Sequence, residues 1–227
     1  MKLTAEIAAE RLGQRFALNG CRIAEGCPPL GRPLFYEEGT EPVAGRFYLT
    51  EKALPEPYPA GCVILCGGAE APADWGEATY ICIPQAGQIA VFNELQRIFD
   101  LLESWERDLG EIRARQGSVR EMLEKSLPIF RNPLVVVGLD FSLEYQAGLD
   151  EDAEEYQLFR PGPERMEYIN ALQQDEQYQR IQEAEGAVWY PGHITGFCSW
   201  NLNIRRSGET ICRLVLMEKG KKLTQGD

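Results

Sequence analysis

The chain has 227 residues, 44% of them hydrophobic, and a formal net charge of −12 from 23 basic and 35 acidic side chains. Such a chain can bury a core for one or two domains. It has no run of the roughly 18 apolar residues that crosses a bilayer, and it lacks the basic excess that displaces counterions from duplex phosphates. The opening Met1-Lys2-Leu3-Thr4-Ala5-Glu6 places an acid where a signal peptide would be apolar, so a cytoplasmic location and no membrane partner are expected.

Three segments follow one another, expected at residues 1–87, 88–127 and 128–227. In the first, Leu3, Ile7, Leu12 and Phe16 suit one face of a helix, with Thr4 as its N-cap and Gly20 as a possible end. After a Gly/Pro-rich stretch from Gly26 to Pro33 come Phe47-Tyr48-Leu49, Cys62-Val63-Ile64-Leu65-Cys66 and Tyr80-Ile81-Cys82-Ile83. The last two are continuously apolar, as strands buried on both faces are. The expected fold of this segment is an α/β domain with a small parallel or mixed sheet.

The second segment carries a heptad pattern. Leu95, Leu102, Leu109, Gln116 and Leu123 recur every seven residues, and Val91, Ile98, Trp105, Ile112 and Val119 form a second series with the same spacing. Nine of these ten positions are apolar. A period held at 3.5 predicts one long coiled-coil helix, with these apolar residues at a homodimer interface. Packing of the same face on its own domain is the alternative.

The third segment reads as a strand at Leu134–Val137, a turn, a returning strand at Leu143–Tyr145, two polar helices between Pro163 and Ala184, and a strand at Ala187–Tyr190 ended by Pro191-Gly192. Strands from Ile194 to Arg206 and from Thr210 to Glu218 then form a hairpin around Ser207-Gly208-Glu209. That order is the order of an α+β sensor domain.

Few residues suggest chemistry. The seven cysteines include no C-x-x-C pair, and His193 is the only histidine, so no metal and no cofactor are expected. Asp150, Asp152 and Glu154 alternate like a calcium loop, but Glu155 stands where such a loop needs Gly and Pro161 where it needs a bidentate carboxylate. There is no G-x-S-x-G elbow, and on a regular strand Cys198 and Ser199 point to opposite faces. An enzyme is therefore not expected. Two candidate ligand sites remain. One is the cluster of Trp189, Tyr190, His193 and Trp200 beside the Pro191-Gly192 break, with Phe197 and Asn201 nearby; the other is the Gly67-Gly68 turn after a buried strand. The aromatic cluster suits a sandwich core equally well.

The run Cys62–Cys66, then Tyr80-Ile81-Cys82-Ile83-Pro84, then Val91-Phe92-Asn93-Glu94-Leu95-Gln96-Arg97-Ile98-Phe99-Asp100 with Trp105-Glu106 and Leu109, resembles the N-terminal half of PucR/CdaR-type regulators. These are the purine-catabolism and sugar-diacid regulators of bacteria. The likeness covers about the first 130 residues, and the third segment is similar in a general way to the PAS/GAF-like domain that follows the helix in some of them. The resemblance implies a ligand-sensing, dimerising region of a transcriptional regulator, with a small-molecule effector as partner. DNA would be bound only by a helix-turn-helix domain outside this chain, and Leu223-Thr224-Gln225-Gly226-Asp227 is read as the start of a further helix leading towards it. A small enzyme of unrecognised class and a structural coiled-coil adaptor are the other readings.

Overall fold

The structure, a computed structural model, describes residues 2–39, 43–52, 61–70 and 78–223. Residues 224–227, where the further helix is expected to begin, lie outside the described residues. The chain divides into two compact units, Met1–Ser104 and Trp105–Thr224.

The first unit opens with α1 (Ala5–Gly13), capped as the sequence suggests by Thr4, whose Oγ1 accepts from the Ile7 amide at 3.3 Å. The helix stops at Gly13, earlier than Gly20. Gly20 instead begins β1 (Gly20–Arg22), paired antiparallel with β5 (Thr79–Ile83). Between them β2 (Gly31–Phe35), β3 (Arg46–Thr50) and β4 (Cys62–Cys66) complete a mixed five-stranded sheet in the order β1-β5-β4-β3-β2, parallel except at β1. All five residues of β4 are buried, and four of five in β3 and β5. The continuous apolar runs thus mark strands covered on both faces.

Helix α2 (Gln88–Ala114) packs its first half within this unit. Val91, Leu95, Ile98, Phe99 and Leu102 are all buried, and Phe99 meets Phe47 of β3 edge-on with ring centroids 6.2 Å apart. Glu94 is buried on the same stripe, where Arg15 and Arg97 bond its carboxylate. Their hydrogen bonds outweigh the burial penalty and hold Glu94 below the usual carboxylate range. Buried positions 91, 94, 95, 98, 99 and 102 form the wide stripe of a helix lying on its own domain, broader than a coiled-coil seam.

The heptad reading of one continuous helix over 88–127 is corrected here. The helix ends after Ala114, and α3 (Val119–Phe130) begins anew. Gln116 adopts φ 56°, its amide donates to Arg113 O at 3.1 Å, and the Gly117 amide donates to Ile112 O at 2.8 Å. This is a Schellman stop. Ser118 then caps α3, its Oγ accepting from the Glu121 amide at 3.1 Å. The seam residues separate accordingly: Val91, Leu95, Ile98 and Leu102 serve the first unit. In the second, Ile112 and Leu123 are buried, Trp105 and Leu109 half-buried, and Val119 and Gln116 exposed. Six of the ten seam positions are therefore buried by the chain itself.

The second unit is built on a five-stranded, wholly antiparallel sheet of β6 (Leu134–Gly138), β7 (Leu143–Ala147), β8 (Val188–Tyr190), β9 (Ser199–Arg206) and β10 (Glu209–Met217), in the order β7-β6-β10-β9-β8. The expected strand from Ile194 shortens to begin at Ser199, because a turn occupies the residues before it. Gly192 has φ 81°, and a Cβ there would fall 2.1 Å from the Phe197 carbonyl oxygen, so only glycine fits. The β9–β10 hairpin turns through Ser207 and Gly208, both at positive φ.

Both faces of this sheet are covered. On one, Leu123, Leu127 and Phe130 of α3 pack with Leu134, Val136, Leu216 and Trp200. Trp105 joins them through Phe130, and its Nε1 donates to Ser126 Oγ at 3.0 Å. On the other face lie α4 (Glu154–Gln157), α5 (Pro163–Gln174) and α6 (Glu176–Glu183), all inserted between β7 and β8. Their apolar residues Tyr156, Leu172, Tyr178 and Ile181 meet Val135, Val137 and Tyr190. Among the described residues no helix is long and apolar enough to cross a membrane.

Candidate functional site

Period-two alternation along β9 sends Trp200, Leu202 and Ile204 towards α3 and Ser199, Asn201 and Asn203 towards α5 and α6. The three polar side chains are the buried ones. A buried polar group costs free energy unless it is bonded, and most of this row is. Asn201 Nδ2 donates to Ser199 Oγ at 2.9 Å. Asn203 Nδ2 donates to Ile181 O at 2.6 Å and Ala184 O at 3.1 Å, closing the carbonyl end of α6.

Opposite Asn203 in the ladder stands Arg213 of β10, only 9% exposed. Its Nε donates to Asn203 Oδ1 at 3.0 Å, its Nη1 donates to the Tyr178 hydroxyl, and its guanidinium carbon lies 4.9 Å from the centroid of the Tyr178 ring. All these partners are neutral. Burying an ion costs several kcal/mol, which neutral hydrogen bonds and a cation–π contact of about 2 kcal/mol offset only in part. The buried carboxylate of Glu94, by contrast, is bonded by two arginines, and that of Asp175 is hydrogen-bonded to His193.

Two spaces adjoin this cluster. A narrow cavity of about 50 Å³, room for a few waters, lies between the sheet and the helices and is bordered by Tyr168, Tyr190, Ser199, Asn201 and Arg213. A cleft of about 270 Å³ is lined by Gly138, Leu139, Phe141, Gln182 and Thr210. Phe141, Tyr178 and Arg213 line both. The Tyr190 hydroxyl borders the inner cavity without a hydrogen-bond partner; the Ile194 backbone is near it but outside bonding geometry. Burial pushes this phenol up to about 12, so it remains a donor at neutral pH. Burial likewise raises Tyr168.

The residues expected at the site are divided between the two faces. Trp189 pairs with Trp200 across the ladder, ring centroids 5.4 Å apart, on the face that packs with α3. Tyr190 lies on the cavity side with the His193 ring beside it, centroids 5.3 Å apart, but His193 is exposed and lines neither space. His193 Nε2 is hydrogen-bonded to Asp175, which also caps α6 by accepting from the Tyr178 amide at 2.7 Å. Burial works against the Asp175 charge, but the Tyr178 amide and His193 outweigh it and hold the carboxyl below its usual range. Cys198 is not paired with this histidine; its Sγ donates to Pro191 O, and burial raises the thiol, so it is not an activated nucleophile.

Gly67 and Gly68 form a left-handed turn after β4, with φ 59° and 90°. Their amides already donate to Ala86 O and Pro84 O, at 2.9 and 2.8 Å. The turn therefore joins β4 to the segment before α2 and has no free amides to offer a ligand. Arg213, Asn203 and Tyr178 did not stand out in the sequence. Their one signal is the alternating Ser199-Trp200-Asn201-Leu202-Asn203-Ile204, which marks a polar face and, read alone, suggests that this face meets solvent. Among the described residues no group of His, Cys, Asp and Glu could hold a metal ion, and all seven cysteines are free thiols.

No protein-family model matches the chain, and no curated protein sequence matches it either.

Proposed function

We propose that the second unit is a PAS/GAF-like sensor domain whose cavity between sheet and helices binds a small effector, and that the chain is the sensory region of a regulator of the PucR/CdaR kind. The observation that carries this reading is the inward polar row of Ser199, Asn201 and Asn203, ending at an unpartnered Tyr190 hydroxyl in the cavity. A sheet whose only task was packing would have apolar residues there. The strand order supports the PAS/GAF-like reading: first strand of the unit beside the last, second at one edge, third at the other, helices between second and third. DNA binding belongs to a domain outside this chain, in keeping with the net charge of −12.

The test is a thermal-shift panel of neutral and anionic metabolites on the whole chain. A ligand at concentration [L] stabilises by RT ln(1 + [L]/Kd). Tyr190→Phe removes an unpartnered hydroxyl, so the unliganded variant should melt no lower than the parent while losing the response to the effector. A variant that responds unchanged would sink the assignment of this cavity.

A further inference from the structure

We infer that the ligand of the second unit carries a carboxylate, and that Arg213, at the boundary of inner cavity and outer cleft, is the residue that binds it. The inference rests on the sensor reading and goes beyond it by naming the ligand's chemical class.

Arg213 is a buried guanidinium without a carboxylate at ion-pair distance among the described residues. Its Nε and Nη1 are held by Asn203 and Tyr178, which fix the plane of the guanidinium; Nη2 makes no hydrogen bond to the described residues. Nor is Nη2 sealed off from solvent, since it is absent from the enclosed, unpartnered polar atoms of this unit, Arg165 Nε and the Tyr190 hydroxyl. A rigidly positioned guanidinium with donors to spare is what a planar carboxylate needs for charge-assisted hydrogen bonds. Asn203 itself is anchored to the end of α6, so the arginine sits on a braced support. Phe141 stacks on Tyr178 with centroids 5.8 Å apart and offers an apolar wall to the rest of the molecule. The outer cleft of about 270 Å³ suits a small organic acid better than a nucleotide. Packing alone does not call for a charge at this place, because a buried ion can often be replaced by a well-packed apolar residue at no loss of stability.

The experiment is an NMR titration of the whole chain that follows the Arg213 Nε–H signal. Sodium acetate, benzoate and succinate are the probes, with benzamide as the neutral match for benzoate and sodium chloride as the ionic-strength control. The expected result is a saturable shift with at least one carboxylate, absent with benzamide and chloride. Arg213→Met should bind that carboxylate about tenfold or more weakly, with a lowered melting temperature because Asn203 Oδ1 loses its donor. Arg213→Lys, keeping charge without the planar fork, should bind with intermediate strength. If Arg213→Met does not fold, the parent titration decides alone. The inference is overturned if no carboxylate moves the Arg213 signal, or if chloride or benzamide moves it equally. Should benzamide perturb Tyr190 and Ser199 while carboxylates leave Arg213 unmoved, the carboxylate fails and the sensor reading stands; if no probe and no panel compound perturbs any cavity residue, both fail.

Discussion

The two sheets bury their strands by opposite rules. In the first unit β4 is Cys-Val-Ile-Leu-Cys, apolar at every position and buried at every position. In the second unit β9 is Ser-Trp-Asn-Leu-Asn-Ile-Arg-Arg, and its buried residues are the polar Ser199, Asn201 and Asn203. The first sheet buries only the small hydroxyls of Thr50 and Thr79 among its strands, and its buried thiols are inert: burial pushes Cys66 up to about 12. The antiparallel sheet keeps a hydrogen-bonded polar row and an arginine under its helices. On the reading proposed above, packing is the task of the first interior and recognition that of the second.

The sharpest way to break this comparison is to charge the interior of the first unit. Leu102→Lys puts an ammonium at a site 4% exposed within a single chain, and the expected loss is several kcal/mol, enough to unfold that unit by circular dichroism. Leu109→Lys, one heptad later but half-buried, should cost about 1 kcal/mol or less. Equal damage from both would restore a continuous seam and overturn the division of α2.

A smaller effect is expected where the two helices separate. Ser118→Ala removes the cap of α3 and should cost about 1 kcal/mol in urea denaturation. A variant as stable as the parent would mean that the cap is not needed and that the break before α3 is held by other residues.

The smallest effect is expected in the polar row. Replacing Ser199 by Ala and Asn201 by Val together removes a bonded pair without leaving either partner orphaned, so the melting temperature should move little in either direction. The response to the effector should nevertheless disappear. A drop as large as that of a core truncation, about 3 kcal/mol or more, would make the row a structural element and remove the reason for placing recognition there.

The elements were legible where local chemistry decides them. Continuous apolar runs marked β4 and β5, Thr4 marked the start of α1, and Ser207-Gly208 marked the β9–β10 turn. The break before α3 was also written locally, as Gly117-Ser118 followed by Glu121, the signature of a helix start. The heptad obscured it, because apolar period alone does not say whether a helix is interrupted. Nor does it say what covers the apolar face: a partner and the chain's own sheet bury the same residues.

What the sequence determined by itself is the place of α1, of β3 to β7 and of the β9–β10 hairpin, and the alternation along β9, since these follow from side-chain period and backbone propensity; β1, β2, α4 and the break between α2 and α3 did not stand out in it. What only the tertiary structure decided is which face of that alternation lies inside. Alternation distinguishes two faces but carries no sign when both are covered. The helices between β7 and β8 lie over the Ser199-Asn201-Asn203 face, and the antiparallel register sets Arg213 opposite Asn203. Long-range pairing of this kind placed a charge in the interior, and no local signal in the sequence could have done so.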